Sequence, residues 1–422
     1  MIIKSIELQN FRNYEDLNIS FDEGTNIFYG DNAQGKTNIL EAAYLSGTTK
    51  SHKCSKDKEM IRFGEQESHI RTVVVKKDKE YQIDMHLKHN RSKGIAINKV
   101  PIKKASELFG ILNMVFFSPE DLNIIKNGPA ERRRFLDSEL CQLDKIYLSD
   151  LTTYNKILNQ RNKLLKDMVY RPDLKDTLPV WDMQLVETGR KIIRRRKQFV
   201  DELNEIVHDI HYRISGEKED LLLQYEPSIE DIFFEDELSR VKERDMRQCM
   251  TSVGPHRDDL LFSIGEVDIR KFGSQGQQRT SALSLKLSEI ELVKRSIHDT
   301  PVLLLDDVLS ELDSNRQNYL LNSIHDTQTL ITCTGLDEFV KTDFISIRYL
   351  KLCRGLWKRE KKYNCIVHIF LCAEWRNKWV QKTNMVETRS RFWKDLRLFV
   401  KDRVCTSVVH QPGAYIIWYM RL

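Results

Sequence analysis

An eight-residue run near the start of the chain has the composition of a phosphate-binding loop. It matches the pattern GxxxxGKS/T at every specified position and consists of Gly30, Asp31, Asn32, Ala33, Gln34, Gly35, Lys36 and Thr37. Such glycines let backbone N–H groups curl around phosphate oxygens, while the lysine reaches the β- and γ-phosphates and the threonine hydroxyl binds magnesium. A β-rich run at 25–29 precedes the loop and a helix is expected over 38–45, so the helix N-terminus would face the anion. The pattern predicts a site for ATP and Mg²⁺, with Lys36 catalytic and Thr37 a metal ligand.

A second run supplies the acidic partner that such a site needs. Residues 302–305 are all apolar, which is typical of a buried strand in a parallel sheet, and Asp306 and Asp307 follow directly. Asp306 would emerge at the end of the strand, where it can hold the magnesium ion. Asp307 is placed to orient the attacking water. We therefore predict Lys36, Asp306 and Asp307 as catalytic residues and Thr37 and Asp306 as metal ligands.

A third motif stands at the start of a predicted helix with apolar positions at 283, 287 and 290. Serine and glycine at a helix N-terminus can offer a hydroxyl and backbone N–H groups to a phosphate. Lys36 already serves the γ-phosphate of its own subunit, so this second motif would contact the nucleotide of a partner subunit. An ordinary capped helix is the alternative. The residues predicted to act in trans are Ser274, Gln275, Gly276 and Gln277.

The composition argues against a membrane-spanning protein, a secreted protein and a protein held together by disulfides. The chain has 422 residues, 41% of them hydrophobic and 31% charged, which is typical of a folded protein with more than one lobe. No run of 18 apolar residues predicts a membrane span, and the first residues do not resemble a signal peptide. The eight cysteines include no CxxC pair and are expected to be reduced thiols. The net charge is +5, but residues 350–422 carry 16 Lys and Arg against 5 Asp and Glu, so the rest of the chain is net negative.

The elements that must position these motifs change character along the chain. Residues 1–130 are predicted to form the first part of an α/β ATPase head, with strands over 2–29, 72–75 and 114–117. Residues 131–250 carry two helical stretches with apolar seams around a break at Pro172 and Pro179, which predicts an antiparallel helical arm. Residues 251–356 return to α/β character and complete the head. Residues 357–422 form a basic tail that holds five of the six tryptophans without helical or strand periodicity.

The order of these motifs resembles that of ABC-type ATPases, in which a phosphate loop, a signature helix, an acidic strand and an SELD segment (here 310–313) follow one another. Further segments narrow the resemblance to the RecF family, and it covers roughly residues 1–350. These segments are NFRNY at 10–14, SPEDL at 118–122, the run 128–137 that contains RRRFLD, GPHRDD at 254–259 and GSQGQQRT at 273–280.

The resemblance implies an α/β ABC-type head, with a mixed or parallel sheet and flanking helices, and an inserted helical lobe. It implies a bacterial cytoplasmic protein of recombinational repair that binds DNA and dimerises with ATP, each nucleotide lying between the Lys36 loop of one subunit and the Ser274 segment of the other. It also implies action with a RecR-type mediator at single-strand gaps, help in loading the recombinase, and support of replication and the SOS response. The expected enzyme is a weak, DNA-stimulated ATPase.

Two departures from the pattern bear on these expectations. ABC-type ATPases usually have glutamate where Asp307 stands and a histidine in the following switch, whereas residues 331–334 read ITCT. A shorter base and the missing histidine predict slow hydrolysis that acts as a switch. The tail, residues 357–422, lies beyond the C-terminal end of the family pattern. We favour a shifted-frame, non-native end, and the alternative is a basic extension that contacts DNA.

Contacts with DNA are the least specified by the sequence. We take Arg132, Arg133 and Arg134 as candidates for phosphate contacts, as we do the basic run 194–197, although solvated helix faces would show the same pattern. His256 and Arg257 are expected near the nucleotide, at a lobe interface or in the core. Three other classes remain as alternatives: an SMC-type chromosome ATPase, for which residues 139–210 are too short, an ABC transporter cassette, and a small-molecule P-loop kinase.

Overall fold

A computed structural model of the chain describes residues 1–54, 56–324, 326–334 and 347–351, together with two short strands near the C-terminus. The chain divides into two compact units, Met1–Leu356 and Trp357–Leu422. In the second unit the described residues are Val408–Val409 and Ile417–Trp418, which pair as antiparallel strands. The rest of the predicted tail lies outside the described residues, so its two interpretations stay open.

An antiparallel sheet of six strands forms one side of the first unit. Its strand order is β2-β1-β4-β5-β6-β7. Polar and apolar residues alternate along the longer strands, so one face is buried: Ile6, Leu8, Ile70 and Ile83 are all inaccessible to solvent. The strands are β1 (Ile2–Phe11), β2 (Tyr14–Ser20), β4 (Glu67–Lys76), β5 (Lys79–Lys88), β6 (Arg91–Ile97) and β7 (Val100–Pro101).

A parallel sheet of five strands carries the acidic motif. Every pair of neighbours in the order β14-β3-β13-β12-β8 is parallel. All residues of the two central strands, β12 and β13, are buried, as expected for a sheet covered on both faces. Each buried Leu or Val contributes about 1.5–3 kcal/mol. The strands are β3 (Thr25–Tyr29), β8 (Met114–Phe117), β12 (Val302–Asp306), β13 (Thr329–Cys333) and β14 (Ile347–Lys351).

The predicted helical lobe is inserted between β8 and β12, which are neighbours in the parallel sheet. Its core is a hairpin of α4 (Lys145–Asp167) and α5 (Leu178–Ile214), and the predicted seam is confirmed because Tyr147, Tyr154 and Leu165 are buried in it. The 37 residues of α5 span about 55 Å. The lobe also contains a small sheet that the sequence did not predict, in the order β11-β10-β9. Its strands are β9 (Leu221–Glu226), β10 (Asp259–Ile264) and β11 (Val267–Asp268), so two of them come from the range 251–356 that was predicted to belong to the head.

The remaining helices pack on the sheets of the head or on the lobe. The long helix α9 packs against α5, where Ser284 Oγ and His211 Nδ1 lie 3.0 Å apart. In the part of the chain that the structure describes, no helix is long and apolar enough to cross a membrane. These helices are α1 (Lys36–Thr48), α2 (Leu122–Lys126), α3 (Pro129–Leu143), α6 (Phe234–Arg240), α7 (Lys242–Gln248), α8 (Ile269–Phe272), α9 (Gln275–Ile297) and α10 (Ser314–Ser323).

Candidate nucleotide site

The phosphate loop joins β3 to α1 and requires glycine at its turns. Gly30 and Gly35 have φ values of 144° and 103°, which side chains rarely adopt, and α1 begins directly after Gly35. The ammonium of Lys36 donates hydrogen bonds to the carbonyl oxygens of Gly30 and Asp31, at 3.0 Å for the latter. The lysine is therefore folded back over the loop, in the place where a bound phosphate would meet it.

Side chains at the turn between β1 and β2 form hydrogen bonds with the backbone of this loop. The Tyr14 hydroxyl donates to the Gly35 carbonyl at 3.1 Å, and Asn13 Nδ2 donates to the Gln34 carbonyl at 3.2 Å. Asn38 Nδ2 in turn donates to Asn13 Oδ1 at 2.8 Å. A Cβ at Gly35 would lie 2.6–2.7 Å from the ends of the Asn13 and Tyr14 side chains, so it would displace the groups that hold the loop. The NFRNY segment thus positions the phosphate loop, a role that the residues' chemistry alone did not indicate.

A buried ion pair fixes α1 to the same segment. Arg12 forms two hydrogen bonds, of 2.6 and 2.8 Å, with the carboxylate of Glu41, which is fully buried. Ser51 also donates to that carboxylate. Burial would raise the pKa of Glu41, but the hydrogen bonds from Arg12 and Ser51 hold it below its usual value. Glu41 therefore stays ionised and anchors β1, α1 and the segment that follows α1.

Asp306 lies at the carboxyl end of β12, where the sequence placed it. Its Oδ1 accepts hydrogen bonds from Thr37 Oγ1 at 2.7 Å and from Thr332 Oγ1 at 2.8 Å. Lys53 Nζ lies 3.8 Å from the other oxygen. A hydroxyl and a carboxylate held side by side are oxygen donors of the kind that Mg²⁺ takes when it binds a nucleotide through few protein ligands. The described residues contain no cluster of three His, Cys, Asp or Glu side chains that could hold a metal without a nucleotide.

Asp307 follows in a left-handed conformation, with φ 57°, that turns the chain away from the strand. Its backbone N–H lies 3.2 Å from the Thr332 carbonyl and 3.0 Å from the Thr332 hydroxyl. Partial burial raises the pKa of the Asp307 carboxyl, and the neighbouring charge of Asp306 raises it further. A carboxyl with a raised pKa beside a phosphate site can accept a proton from an attacking water.

The proposed trans motif lies at the exposed N-terminus of α9. Ser274 and Gln277 cap the helix reciprocally, through hydrogen bonds of 2.9 and 3.2 Å, and Gln277 Nε2 bonds to Glu219 at 2.9 Å. Ser274, Gln275 and Gly276 are exposed. The start of α9 is therefore a capped helix, as the alternative expected. The exposed backbone N–H groups of its first turn can still contact a second molecule.

The basic run on α3 differs from its predicted role at one position. Arg132 is only 1% exposed and pairs with Asp259 of β10 at 2.5 and 3.0 Å, which contradicts its candidacy as a DNA contact. Burying a guanidinium requires such a partner, and local sequence does not show one 127 residues away. Arg133 donates to the Asp258 carbonyl at 2.7 Å and is half-buried. Arg134 is exposed.

The second basic run and the GPHRDD motif meet in the lobe. Arg196 is 2% exposed and contacts both Asp137 and Asp258, so it is not the solvated residue that the run 194–197 suggested. His256 Nδ1 lies 2.7 Å from the Tyr154 hydroxyl, inside the lobe, and burial lowers its pKa to about 4. Of the three places considered for His256, its contacts agree with the core of the lobe.

Two residues of the site were not predicted from the sequence. Lys53 approaches Asp306 from a segment without a motif, and Thr332 was noted only for the missing histidine in its segment. Thr332 could have been found from strand register, because it lies directly opposite Asp306 on the neighbouring strand. Lys53 depends on the path of the chain after α1, which periodicity does not encode.

Comparisons with known proteins agree with this architecture. A family model described as the RecF/RecN/SMC N terminal domain matches residues 2–344. The DNA replication and repair protein RecF of Agathobacter rectalis is 77% identical over 355 residues, covering 84% of this chain and 98% of the relative. The protein of the same name from Lachnospira eligens is 63% identical over 357 residues, with the same coverage. A solved structure of the recombination mediator protein RecF with ATP, in the RecFOR pathway, has a TM-score of 0.78 at 37% identity and covers 84% of this chain and 96% of its own.

Proposed function

The chain belongs to the RecF family of ABC-type ATPases, and from that premise we propose that it binds ATP and uses the bound nucleotide to control its grip on DNA. The hydrogen bond from Thr37 to Asp306 beside the Lys36 loop is the main support for this proposal. These side chains come from segments 269 residues apart, and the parallel sheet places them within hydrogen-bond distance. A structural glycine turn would not need this convergence. The backbone of residues 30–35 would receive the phosphates, and Lys36 would meet their charge.

Thr37 and Asp306 would hold Mg²⁺ when ATP is bound. The metal would neutralise the negative charge that develops on the phosphate oxygens during hydrolysis. Thr332 would keep the Asp306 carboxylate in one orientation through its hydroxyl. Asp307 would orient the attacking water and accept its proton.

Hydrolysis is proposed to be slow and stimulated by DNA. The carboxyl of Asp307 is one methylene shorter than the glutamate usual in ABC-type ATPases, and a threonine side chain, which cannot titrate near neutral pH, stands in the switch segment. Both features favour slow hydrolysis, so the bound ATP would last long enough for its lifetime to act as a timer. A single-turnover rate as fast as that of a transporter ATPase would count against this.

Two subunits are proposed to enclose each nucleotide. The exposed N-terminus of the 23-residue helix α9 supports this, since its free N–H groups can face a phosphate of the partner's ATP. Ser274, Gln275, Gly276 and Gln277 would form that contact in trans. In the same subunit Arg279 pairs with Glu311 at 3.1 Å, which ties this turn to the segment after Asp307.

The proposed setting is recombinational repair in the cytoplasm. Relatives named DNA replication and repair protein RecF, and the RecF structure described in the RecFOR pathway, support binding to single-stranded and duplex DNA at gaps with a RecR-type mediator. Help in loading the recombinase, and support of replication and the SOS response, follow from the same family membership.

Sedimentation of the full chain with and without ATP tests the nucleotide switch. Wild type should dimerise only with ATP, and Lys36→Met should stay monomeric because the loop no longer holds the γ-phosphate. If ATP binds but wild type remains a monomer, the trans role of Ser274 is wrong. If ATP does not bind at all, the proposal itself fails.

A further inference from the structure

A short segment after α1 concentrates positive charge on the surface of the head. We call residues 49–58 the basic loop, of which Ser55 lies outside the described residues. It holds four lysines, all exposed, and one acidic residue, Asp57. This density is unusual here, because residues 1–349 carry a net negative charge. The lysines are Lys50, Lys53, Lys56 and Lys58.

The backbone of the basic loop is anchored from below. Ser51 donates to the buried Glu41, and the N–H groups of Lys53 and Cys54 donate to Ser51 Oγ at 3.0 and 3.1 Å. The ring of His52 packs on that of Phe116, with centroids 4.0 Å apart. The loop is therefore a formed structure, and its lysines project from fixed backbone positions, which lowers the entropy cost of using them together.

One further lysine closes the loop and removes its acidic charge. Lys93 of β6 donates both to the Thr49 carbonyl and to Asp57 Oδ1, at 2.8 Å for the latter, so one ammonium holds the two ends. Asp57 is thereby neutralised. Lys50, Lys56 and Lys58 form no ion pair with any described residue. Their charge is left for a partner outside the chain.

The positive surface continues onto α3. Arg134, which is exposed, donates to the His52 carbonyl at 3.2 Å. Glu59, which directly follows the basic loop, is an exposed acid.

We propose that the basic loop together with Arg134 is the surface at which this chain contacts the phosphate backbone of DNA. The inference rests on the proposed function and names where its DNA partner binds. Unpaired lysines on a fixed backbone suit a phosphate array, which they contact without reading bases. The surface replaces the buried Arg132 as the place where the head meets DNA. An anionic membrane is less well matched, because the exposed side chains of the loop include no large apolar residue.

Salt-dependent DNA binding by the full chain tests the proposal. The variant replaces Lys50, Lys56 and Lys58 by Gln and leaves Lys53 in place because that side chain contacts Asp306. Fluorescence anisotropy on a labelled gapped duplex, with ATP present, gives the Kd across a range of salt concentrations. Each lost contact should lower the slope of log Kd against log salt by about 0.9, so the slope should fall by about 3 and the Kd should rise tenfold or more at ~0.1 M salt.

A matched control carries the same charge change elsewhere. Lys77, Lys79 and Lys99 are exposed and form no ion pair with a described residue. They lie at or next to the β4–β5 and β6–β7 turns of the antiparallel sheet. Their triple Gln variant should keep the wild-type slope and Kd. Both variants should bind ATP as wild type does, because neither touches the phosphate loop.

The outcomes separate this inference from the proposed function. If wild type binds DNA with ATP and the loop variant keeps its slope and Kd, the basic loop is not the surface, although the proposed function stands. If both triple variants lose the same slope, only overall charge matters and the inference is overturned. If the loop variant loses binding to anionic vesicles while its DNA slope is unchanged, the partner is a lipid surface. If wild type does not bind DNA in ATP, the proposed function fails first.

Discussion

The substitution Thr332→Val tests how the site holds the carboxylate of Asp306, the proposed Mg²⁺ ligand. Thr332 is 1% exposed on β13, and its hydroxyl donates to Asp306 Oδ1 at 2.8 Å while lying 3.0 Å from the Asp307 N–H. Valine has the same branched shape, so the strand should keep its packing. The change removes one hydroxyl and leaves the carboxylate with Thr37 as its remaining hydroxyl donor.

The expected magnitude follows from these contacts. A hydrogen bond to a charged group is worth about 1.5–3 kcal/mol, and part of the loss is offset because Asp306 Oδ1 keeps the hydrogen bond from Thr37 at 2.7 Å. The Asp307 N–H is not left unpaired, because it keeps the carbonyl of residue 332 at 3.2 Å. A net loss of about 1–2 kcal/mol in the positioning of Asp306 corresponds to a rate about 5- to 30-fold lower. Binding of the nucleotide should change much less, since Lys36 and the loop backbone are untouched.

The assay is single-turnover ATP hydrolysis measured over a range of Mg²⁺ concentrations. Thr332→Val should lower the maximal rate and raise the Mg²⁺ concentration needed for half of it. The matched control is Thr329→Val on the same strand. Thr329 is also fully buried, but its hydroxyl donates to the Thr327 carbonyl at 3.0 Å, away from the site.

One result would refute this reasoning. If Thr332→Val and Thr329→Val give the same rate and the same Mg²⁺ dependence, the Thr332 hydroxyl does not position Asp306. If both variants melt at the wild-type temperature and only Thr332→Val is slow, loss of folding is excluded as the cause.

Three further predictions follow from the geometry. Gly35→Ala should weaken ATP binding strongly in isothermal titration, because a side chain is strained at φ 103° and its Cβ would displace the ends of Asn13 and Tyr14; a wild-type Kd would contradict the loop geometry. Asp307→Asn should lower the single-turnover rate of hydrolysis strongly and leave the Kd for ATP near the wild-type value, because an amide cannot accept the proton of the attacking water; an unchanged rate would contradict the role of Asp307 as the base. Burial and the nearby Glu289 raise the pKa of Glu139 well above its usual value, so the folded chain holds that proton and loses stability as pH rises from the usual value towards the raised one. Glu139→Gln should therefore raise Tm relative to wild type at pH 8 more than at pH 5, and an equal effect at both would contradict a buried, protonated carboxyl.

Much of the nucleotide site could be predicted because its signals are local. The apolar run 302–305 predicted a buried strand, and the structure places Asp306 at its carboxyl end next to Thr37. Parallel strands bring their carboxyl ends to one edge of a sheet, so adjacency in space followed from strand type alone. The helical hairpin was predictable for the same reason, since the apolar seam repeats within each helix.

The buried charges could not be predicted, because their partners lie far away in sequence. Arg161 interrupts the apolar seam of α4 and would be expected to point to solvent. Instead it is fully buried and bonds to Asp182 at 2.7 Å and to Asp245 at 2.8 Å. No periodic pattern links a cation to an acid 84 residues later. The small sheet β11-β10-β9 escaped prediction similarly, since its strands are short and β9 pairs with β10 across two intervening helices.

The motifs that define the family therefore divide into two groups with different physical roles. The segments at 10–14, 30–37 and 302–307 converge on the nucleotide site through the two sheets of the head. The run 128–137 and the GPHRDD motif converge in the lobe, where Asp259 pairs with Arg132, and Asp258 with Arg196. Removing one member of a buried pair leaves an uncompensated charge that costs about 3–5 kcal/mol. Strict residue requirements in the second group can thus arise from the stability of the lobe, without contact with ATP or DNA. The helix α9 belongs to both groups, because its N-terminus carries Ser274 and its middle packs against α5, so a displacement of that turn by a partner's nucleotide would act directly on the lobe.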